Sequence, residues 1–499
     1  MKRFSLALAP LVLALAACGG SDSDSSSGGS SSPHGGDQVA APPSGGTGGG
    51  SGGGSGATPR PTTPDLDAWT RYFVTSFDED AVARLRRTAA FADHTIRMTM
   101  RISGHPVYGG SGRTVEANPF LAARIDYAHS TGLTGEGQVV SMLDSAPRFS
   151  HEQFAGKTIY TTGSGPAEDH GTGVAAIMVG TGGSGTSIGV APGADLHVGV
   201  MDFSSGNSWG YLAEVMRDAR KLGAVASNNS WTIPGVSVAN TNLRAHFEHS
   251  SRIDYLRSLR EFTQTGVVVF AAGNDYHATS VSGMAGLPTA FPDLEGRWLA
   301  VVNAIPEFDD DRILSAERVS SACLEAARWC LTANGQVRVA TANDDRGYAL
   351  GSGSSFAAPQ VAGSVALLAE AFPTLTAGQL RDRLLATADN SYFAHSGVVD
   401  FAPGISHGYN EEFGHGFLDM RAALLPIGDH VMPIASGGSR GVGEVALISG
   451  GATGDAAVRS LAAARVISLD GLHGKFETDA RHLAATATGG PDRGMMLAR

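Results

Sequence analysis

At 499 residues, with 36 Lys and Arg against 48 Asp and Glu, the chain carries a formal net charge of −12. That balance excludes nucleic acid as a main partner, because neutralising phosphates needs a clustered basic face. The length allows two or three domains, although large α/β enzymes spend most of such a length on one. Many of the 67 glycines lie near the N-terminus, where no core can form.

Lys2 and Arg3 precede an apolar run, Phe4 to Ala17. The run is too short to span a bilayer and has the length of a secretory signal. It ends in LAAC, Leu15 to Cys18, followed by Gly19 and Gly20. This resembles the lipobox of bacterial lipoproteins, which implies removal of residues 1–17 and a lipid on Cys18. The absence of Asp at position 19 then points to the outer membrane; the alternative is an ordinary signal cut after Ala17. Residues 18–65 collapse to Gly, Ser, Pro and Thr and read as a flexible, disordered tether reaching tens of ångströms on the scale of roughly 5–6 Å × √n. Residues 66–117 carry mixed helical character, clearest in DEDAVARLRRTAAFA. Asp78 or Asp80 caps that helix, and Val82, Leu85 and Ala89 share a face. The segment reads as an accessory helical piece on the body or as a propeptide.

From residue 118 to 428 short apolar runs alternate with helical stretches. GQVVSMLDS, DLHVGVM, AVASNNSW and VVVFAAGN read as strands. GTGVAAIMVG, GYLAEVMRDARKLG, RIDYLRSLREFTQTG and SSFAAPQVAGSVALLAEAF read as helices. Such alternation predicts an α/β fold with a mostly parallel central sheet covered by helices on both faces. No internal repeat is visible, and residues 429–499 form a weakly patterned, Gly/Ala-rich C-terminal extension.

Besides Cys18, the chain has only Cys323 and Cys330, in CLEAARWC. In an exported protein that pair reads as a disulfide, the alternative being two buried thiols. Nearby paired histidines that would suggest zinc are missing.

The stretch GSGSSFAAPQVAG, Gly351 to Gly363, raises the question of a nucleophile. A serine hydroxyl needs a base, an orienter for that base and donors for a developing oxyanion. Ser355 falls at a helix N-terminus, where unpaired N–H groups point outward, and Pro359 reads as falling within the first turn. Asp144 ends an apolar strand, the place where functional groups gather in open α/β sheets. His170 opens a helix of small residues that holds it rigidly, and Asn274 ends another strand with a side-chain amide. The order Asp, His, Ser is one of the convergent triad orders.

These motifs resemble the subtilisin-like serine proteases, or subtilases. The resemblance runs from about Leu133 to Gly428 through GLTGEGQVVSMLDS, HGTGVAAIMVG, GVAPGADLHVGVM, AAGN and GSSFAAPQVAGSVALL. It implies a three-layer subtilisin-like fold and an acyl-enzyme route. Ser355 would then be the nucleophile, His170 the general base and acid, Asp144 its orienter and Asn274 an oxyanion donor. Ser354 stands where the family has Thr, and Ala146 where it usually has Gly. The latter costs little unless the position needs a positive φ. SNNSW and AAGN occupy the family's specificity-pocket walls, which places Ser230, Trp231, Ala272 and Gly273 there, with a core role as the alternative for Trp231.

SNNSW, the segment from Cys323 to Gly335, EFGHGFLDMRAALLPIG and SLDGLHGKF (Ser468 to Phe476) further resemble the autotransporter serine proteases of Gram-negative bacteria. That implies a surface or outer-membrane enzyme acting on adhesins or on itself, with periplasmic or secreted locations as alternatives. After Phe476 the sequence has no strands for a translocating barrel, which leaves a lost, separate or absent barrel open. EFDDDR, Glu307 to Arg312, lacks the spacing of a calcium loop. It reads as a solvated acidic turn, with a structural calcium site as the alternative; no cofactor is expected to be required. His395, His407 and His415 read as loop residues. A catalytically silent adhesin on the same scaffold, and an enzyme that mainly processes itself, are the rival readings.

Overall fold

The structure, a computed structural model, describes residues 73–183, 187–203, 207–309, 311–429, 431–433, 439–441 and 465–479. The signal, Cys18 and the tether lie outside the described residues. A short strand β1 (Phe73–Val74) leads to helix α1 (Glu79–Arg86). Of the two expected caps Asp78 serves: its carboxylate accepts from the Ala81 N–H at 3.0 Å, satisfying one of the first-turn donors.

The helical reading of residues 66–117 holds only in part. Ile96–Met100 (β2) and Arg113–Ala117 (β3) form an antiparallel hairpin. Ile96 and Met100 are buried while Arg97 and Thr99 are exposed, a two-residue period that favours a strand. The described part of the segment is fastened to the body. Arg86 Nε lies 2.6 Å from the buried Asp126 carboxylate. Asp93 accepts from Arg338 at 2.8 Å and from the Ser187 N–H at 2.9 Å.

The main sheet comprises β4 (Val139–Asp144), β5 (Ile159–Thr162), β6 (Asp195–Val200), β7 (Ala226–Asn229), β8 (Val267–Ala271), β9 (Trp298–Asp309), β10 (Arg312–Arg318) and β11 (Cys330–Ala333). Its order is β10-β9-β8-β7-β4-β6-β5, with β11 also on β9. All pairings are parallel except β9 with β10. Helices α2 (Asp169–Val179), α3 (Trp209–Lys221), α4 (Ile253–Phe262), α5 (Ser354–Ala371) and α6 (Ala377–Ala386) alternate with these strands or follow them. This is the expected subtilisin-like α/β architecture.

Alternation along the strands assigns the two faces. In β8, Val267, Val269 and Ala271 enter one core with α2 and α5. Val268 and Phe270 enter the other with α3 and α4. Because both faces are covered, β8 is buried throughout, which is why its sequence is an unbroken apolar run. The helices carrying His170 and Ser355 therefore share one face and meet at the C-terminal strand ends.

Strands β12 (Gln336–Ala340) and β13 (Tyr348–Ser352) form a hairpin leading into α5. A second hairpin pairs β14 (Gly397–Ala402) with β15 (Ile405–Tyr409). Cys323 and Cys330 form a disulfide, as the sequence suggested. The extension beyond residue 428 is not simply unpatterned. Its strands β16 (Val431–Pro433), β17 (Ser439–Gly441), β18 (Arg465–Leu469) and β19 (Lys475–Asp479) make a sheet ordered β1-β19-β18-β16-β17. Phe476 is fully buried against Phe372, which also packs on Phe73. Both ends of the described chain thus close on one apolar seam.

Candidate active site

Asp144 is the last residue of β4 and is wholly buried. Its Oδ1 accepts from the Ser145 N–H at 2.8 Å and from His170 Nδ1 at 2.7 Å. The imidazole therefore carries its proton on Nδ1, leaving Nε2 as the basic nitrogen of the neutral ring. Ser145 also ties strand to helix: its hydroxyl accepts from the Gly171 N–H at 3.0 Å. This approach requires glycine at 171, where a Cβ would meet the Ser145 carbonyl oxygen at 1.9 Å. Burial opposes a charge on His170, but the adjacent Asp144 carboxylate outweighs it by charge and hydrogen bond, so the pKa of the ring lies above its ordinary 6.5. Ala146 is not among the residues with positive φ. It pairs with Ala167 in an isolated bridge and its carbonyl accepts from Glu168 at 2.9 Å. Alanine fits there without strain.

Ser355 is the second residue of α5. Pro359 is the sixth residue of that helix, beyond the first turn where the sequence reading put it. Lacking an N–H, it frees the Ser355 carbonyl, and the Ser230 hydroxyl donates to that carbonyl at 2.8 Å. The Ser355 hydroxyl in turn donates to the Ser230 carbonyl at 3.3 Å. No hydrogen bond joins Ser355 to His170 in this arrangement, although the His170 ring lies 5.7 Å from that of the neighbouring Phe356. Resting serine centres commonly show such loose geometry, which tightens with substrate.

Asn274 follows β8 and is exposed. Its Oδ1 accepts from the Ser354 N–H at 2.8 Å and the Ser354 hydroxyl at 2.9 Å. With the oxygen occupied, the amide Nδ2 is the free donor. The Ser355 N–H, in the first turn of α5, has no intrahelical acceptor. The four sequence candidates are thus gathered at adjoining strand and helix ends. Sequence reasoning gave no role to Ser354 beyond a family position, nor to Ser145; a hydroxyl beside each functional residue was the available signal.

Of the expected pocket residues, Ser230 touches Ser355 and Ala272 is buried at the end of the strand region before Gly273. Trp231 is 6% exposed and packs edge-on against Phe270 at 5.3 Å between ring centres. Its ring belongs to the core rather than to an open wall.

The sequence profile of the Subtilase family matches residues 135–416. The chain belongs to the subtilase family. Among curated relatives, the extracellular serine protease of Serratia marcescens is 26% identical over 367 residues, 61% of this chain and 33% of that protein. Subtilisin E of Bacillus subtilis (strain 168) is 26% identical over 285 residues, covering 54% and 66% respectively. Serotype-specific antigen 1 of Mannheimia haemolytica is 33% identical over 174 residues, covering 33% of this chain and 18% of that one. The chain thus spans a third or less of the Serratia and Mannheimia proteins. Among solved structures, Sphericase matches with a TM-score of 0.42 at 21% identity over 57% of this subtilase and 92% of its own chain. The prenylagaramide maturation protease matches with a TM-score of 0.45 at 20% identity, covering 60% and 96%.

The remaining candidates fall elsewhere in the subtilase. The expected acidic turn is largely strand: Glu307 and Asp309 lie on β9 and Arg312 on β10, paired antiparallel, while the Asp311 carboxylate lies 3.5 Å from Arg86 and Glu307 accepts from Ser315. Among the described residues no cluster of three metal-ligating side chains occurs. The loop reading holds for His395 and His415 and fails for His407. His407 lies on β15 and His415 is fully buried, with their rings stacked 5.2 Å apart and their Nδ1 atoms at 3.1 Å. Burial, and then the facing His407, hold His415 down at about 3. The sequence could not show this because only the fold brings the two segments face to face.

Proposed function

We propose that this subtilase is a serine endopeptidase in which Ser355 attacks the peptide carbonyl, His170 removes its proton and Asp144 holds the imidazole. The observation that carries the reading is the 2.7 Å contact between His170 Nδ1 and the buried Asp144 carboxylate. It sets the tautomer, leaves Nε2 basic and supplies the negative charge that an imidazolium needs. As the hydroxyl adds to the carbonyl, the proton passes to Nε2 and the carbonyl electrons move to oxygen. The Asn274 amide and the Ser355 N–H are the donors available for that oxyanion. Collapse expels the amine, which takes the proton from His170. Water then repeats the sequence on the acyl-serine.

The substrates proposed are proteins or peptides, surface adhesins and the chain's own tether among them. The leader and LAAC motif support export and lipidation at Cys18, with the outer membrane or cell surface as the destination, and a Serratia relative is named an extracellular protease. No helix among the described residues is long and apolar enough to cross a membrane.

Incubation with an unfolded protein and mass analysis of the fragments tests the assignment. Internal cleavage should occur and should vanish in Ser355→Ala. Equal cleavage by that variant would overturn it, and a folded wild-type protein that cleaves nothing would favour the silent-adhesin reading.

A further inference from the structure

The loop after Asn274 is gripped residue by residue, in part from outside the family-matched region. The grip comes from the hairpin β2–β3, which precedes that region, and from the strand end at Arg318. Ser321 Oγ donates to the Asp275 carbonyl at 3.0 Å. The Tyr276 ring contacts two groups, the His105 imidazole at 4.4 Å between ring centres and the Arg318 guanidinium at 4.5 Å from its centre. Arg318 also donates to the Tyr276 carbonyl at 3.2 Å. His277 Nε2 donates to the Ser103 carbonyl at 2.8 Å. Thus the hairpin loop holds residues 276 and 277, and Ser321 holds 275.

His105 is built for this place. Its Nδ1 accepts from the Val107 and Tyr108 N–H groups at 3.0 and 3.2 Å, so Nε2 carries the proton and donates to the Arg318 carbonyl at 2.9 Å. The ring is 3% exposed. One imidazole therefore fastens the hairpin loop to the residue whose guanidinium covers Tyr276. Gly104 lets the loop come this close: it has φ +71°, and a Cβ there would meet the His277 ring at 2.7 Å. Behind the loop, Met100, Tyr108 and Val115 of the hairpin share a small core with Ile305 and Val319.

We propose that the hairpin of residues 96–117 is a positioning element of the oxyanion site, with His105 its central positioning residue, and that it stays with the working enzyme. The proposal rests on the reading of Asn274 as an oxyanion donor. Ser354 fixes that amide from one side, and the hairpin fixes Tyr276 and His277, two and three residues further along the same loop. A misplacement of an ångström in such a donor is costly to the transition state and indifferent to ground-state binding. A removable propeptide would instead leave the site unaltered or relieved on departure.

A double-mutant cycle on the full chain, read as kcat and KM on a peptide substrate, tests this. Asn274→Ala should lower kcat by about 10²–10³, the size known for subtilisin's own oxyanion asparagine. His105→Ala should lower kcat by about 10- to 100-fold with KM held within about twofold. In the Asn274→Ala background, His105→Ala should add almost nothing; with Asn274 present, His105→Gln, which keeps a donor for the Arg318 carbonyl, should retain much of the rate that His105→Ala loses. Losses that multiply, or a loss confined to KM, would overturn the positioning role. An Asn274→Ala variant with undiminished kcat would overturn the oxyanion reading itself and the hairpin proposal with it. If His105→Ala does not fold, Gly104→Ala enters the same cycle. The intact mass of the active species should include residues 96–117; an active species lacking them would end the proposal.

Discussion

Asp144 and Asp470 are both buried carboxylates facing a side chain that can carry a positive charge, and they are equipped very differently. Asp470 accepts from Arg383 Nη1 at 2.7 Å and from the N–H groups of Ile427, Leu472 and Gly474 at 2.9, 3.0 and 2.7 Å. Arg383 spends its other donors on the Ala423 and Leu425 carbonyls and lies 4.5 Å over the Phe372 ring. Asp470 accepts two hydrogen bonds on each oxygen and every nitrogen of Arg383 donates, which is what a buried ion pair needs to hold a structure together. At Asp144 the bonds converge on Oδ1, and Oδ2 has no hydrogen-bond partner among the described residues. Of the groups bonded to it, only His170 can carry a positive charge. A saturated carboxylate is a rivet; an under-saturated one keeps its field for a partner whose charge must change.

Substitutions can break this contrast. Asp144→Asn should lower kcat by about 10⁴, because an amide can stabilise the wrong imidazole tautomer and supplies no charge. Its melting temperature should stay close to the wild type, and a large thermal loss would show that Asp144 is structural after all. Asp470→Ala should do the reverse. Removing one partner of a buried pair costs about 3–5 kcal/mol, a drop of roughly 3–6 °C for a chain of this size. The rate per folded molecule, measured well below the transition, should change little.

The pH dependence sharpens the same distinction. His170 must be neutral to accept a proton, and its pKa is raised above 6.5 by Asp144. The acid limb of kcat/KM should therefore lie above pH 6.5, and a limb below it would contradict the pairing. Buried His94, His197 and His415 are held down at about 3, 4 and 3, chiefly by burial. Unfolding lets them take up protons, so their contribution is whole above about 6.5 and is lost as pH falls toward those values. Stability should decline through that acidic window, beyond the point where activity has already gone. His415→Gln should soften the decline by a smaller amount.

The catalytic half of the molecule was legible because its functional residues sit where strand and helix ends must fall. Asp144 closes an apolar run, His170 opens a glycine-rich helix and Ser355 begins another, so local pattern and chemistry coincide. The flanks were not legible in the same way. The strand pattern of Ile96–Met100 stood beside a stronger helical signal, and the pairing of β1 with β19 joins residues about four hundred positions apart. No local period announces such a contact. The His407–His415 stack and the reach of Arg383 to Asp470 are likewise products of the fold. Pro359 was visible but its consequence was not: the carbonyl it frees matters only because Ser230 stands opposite.

The most direct test is fluorophosphonate labelling of the folded protein beside Ser355→Ala and Asp144→Asn, with mass mapping of the modified peptide. The account predicts one adduct, on Ser355, absent in the first variant and formed far more slowly in the second. An adduct on another serine, or none from a well-folded wild-type protein, would contradict it.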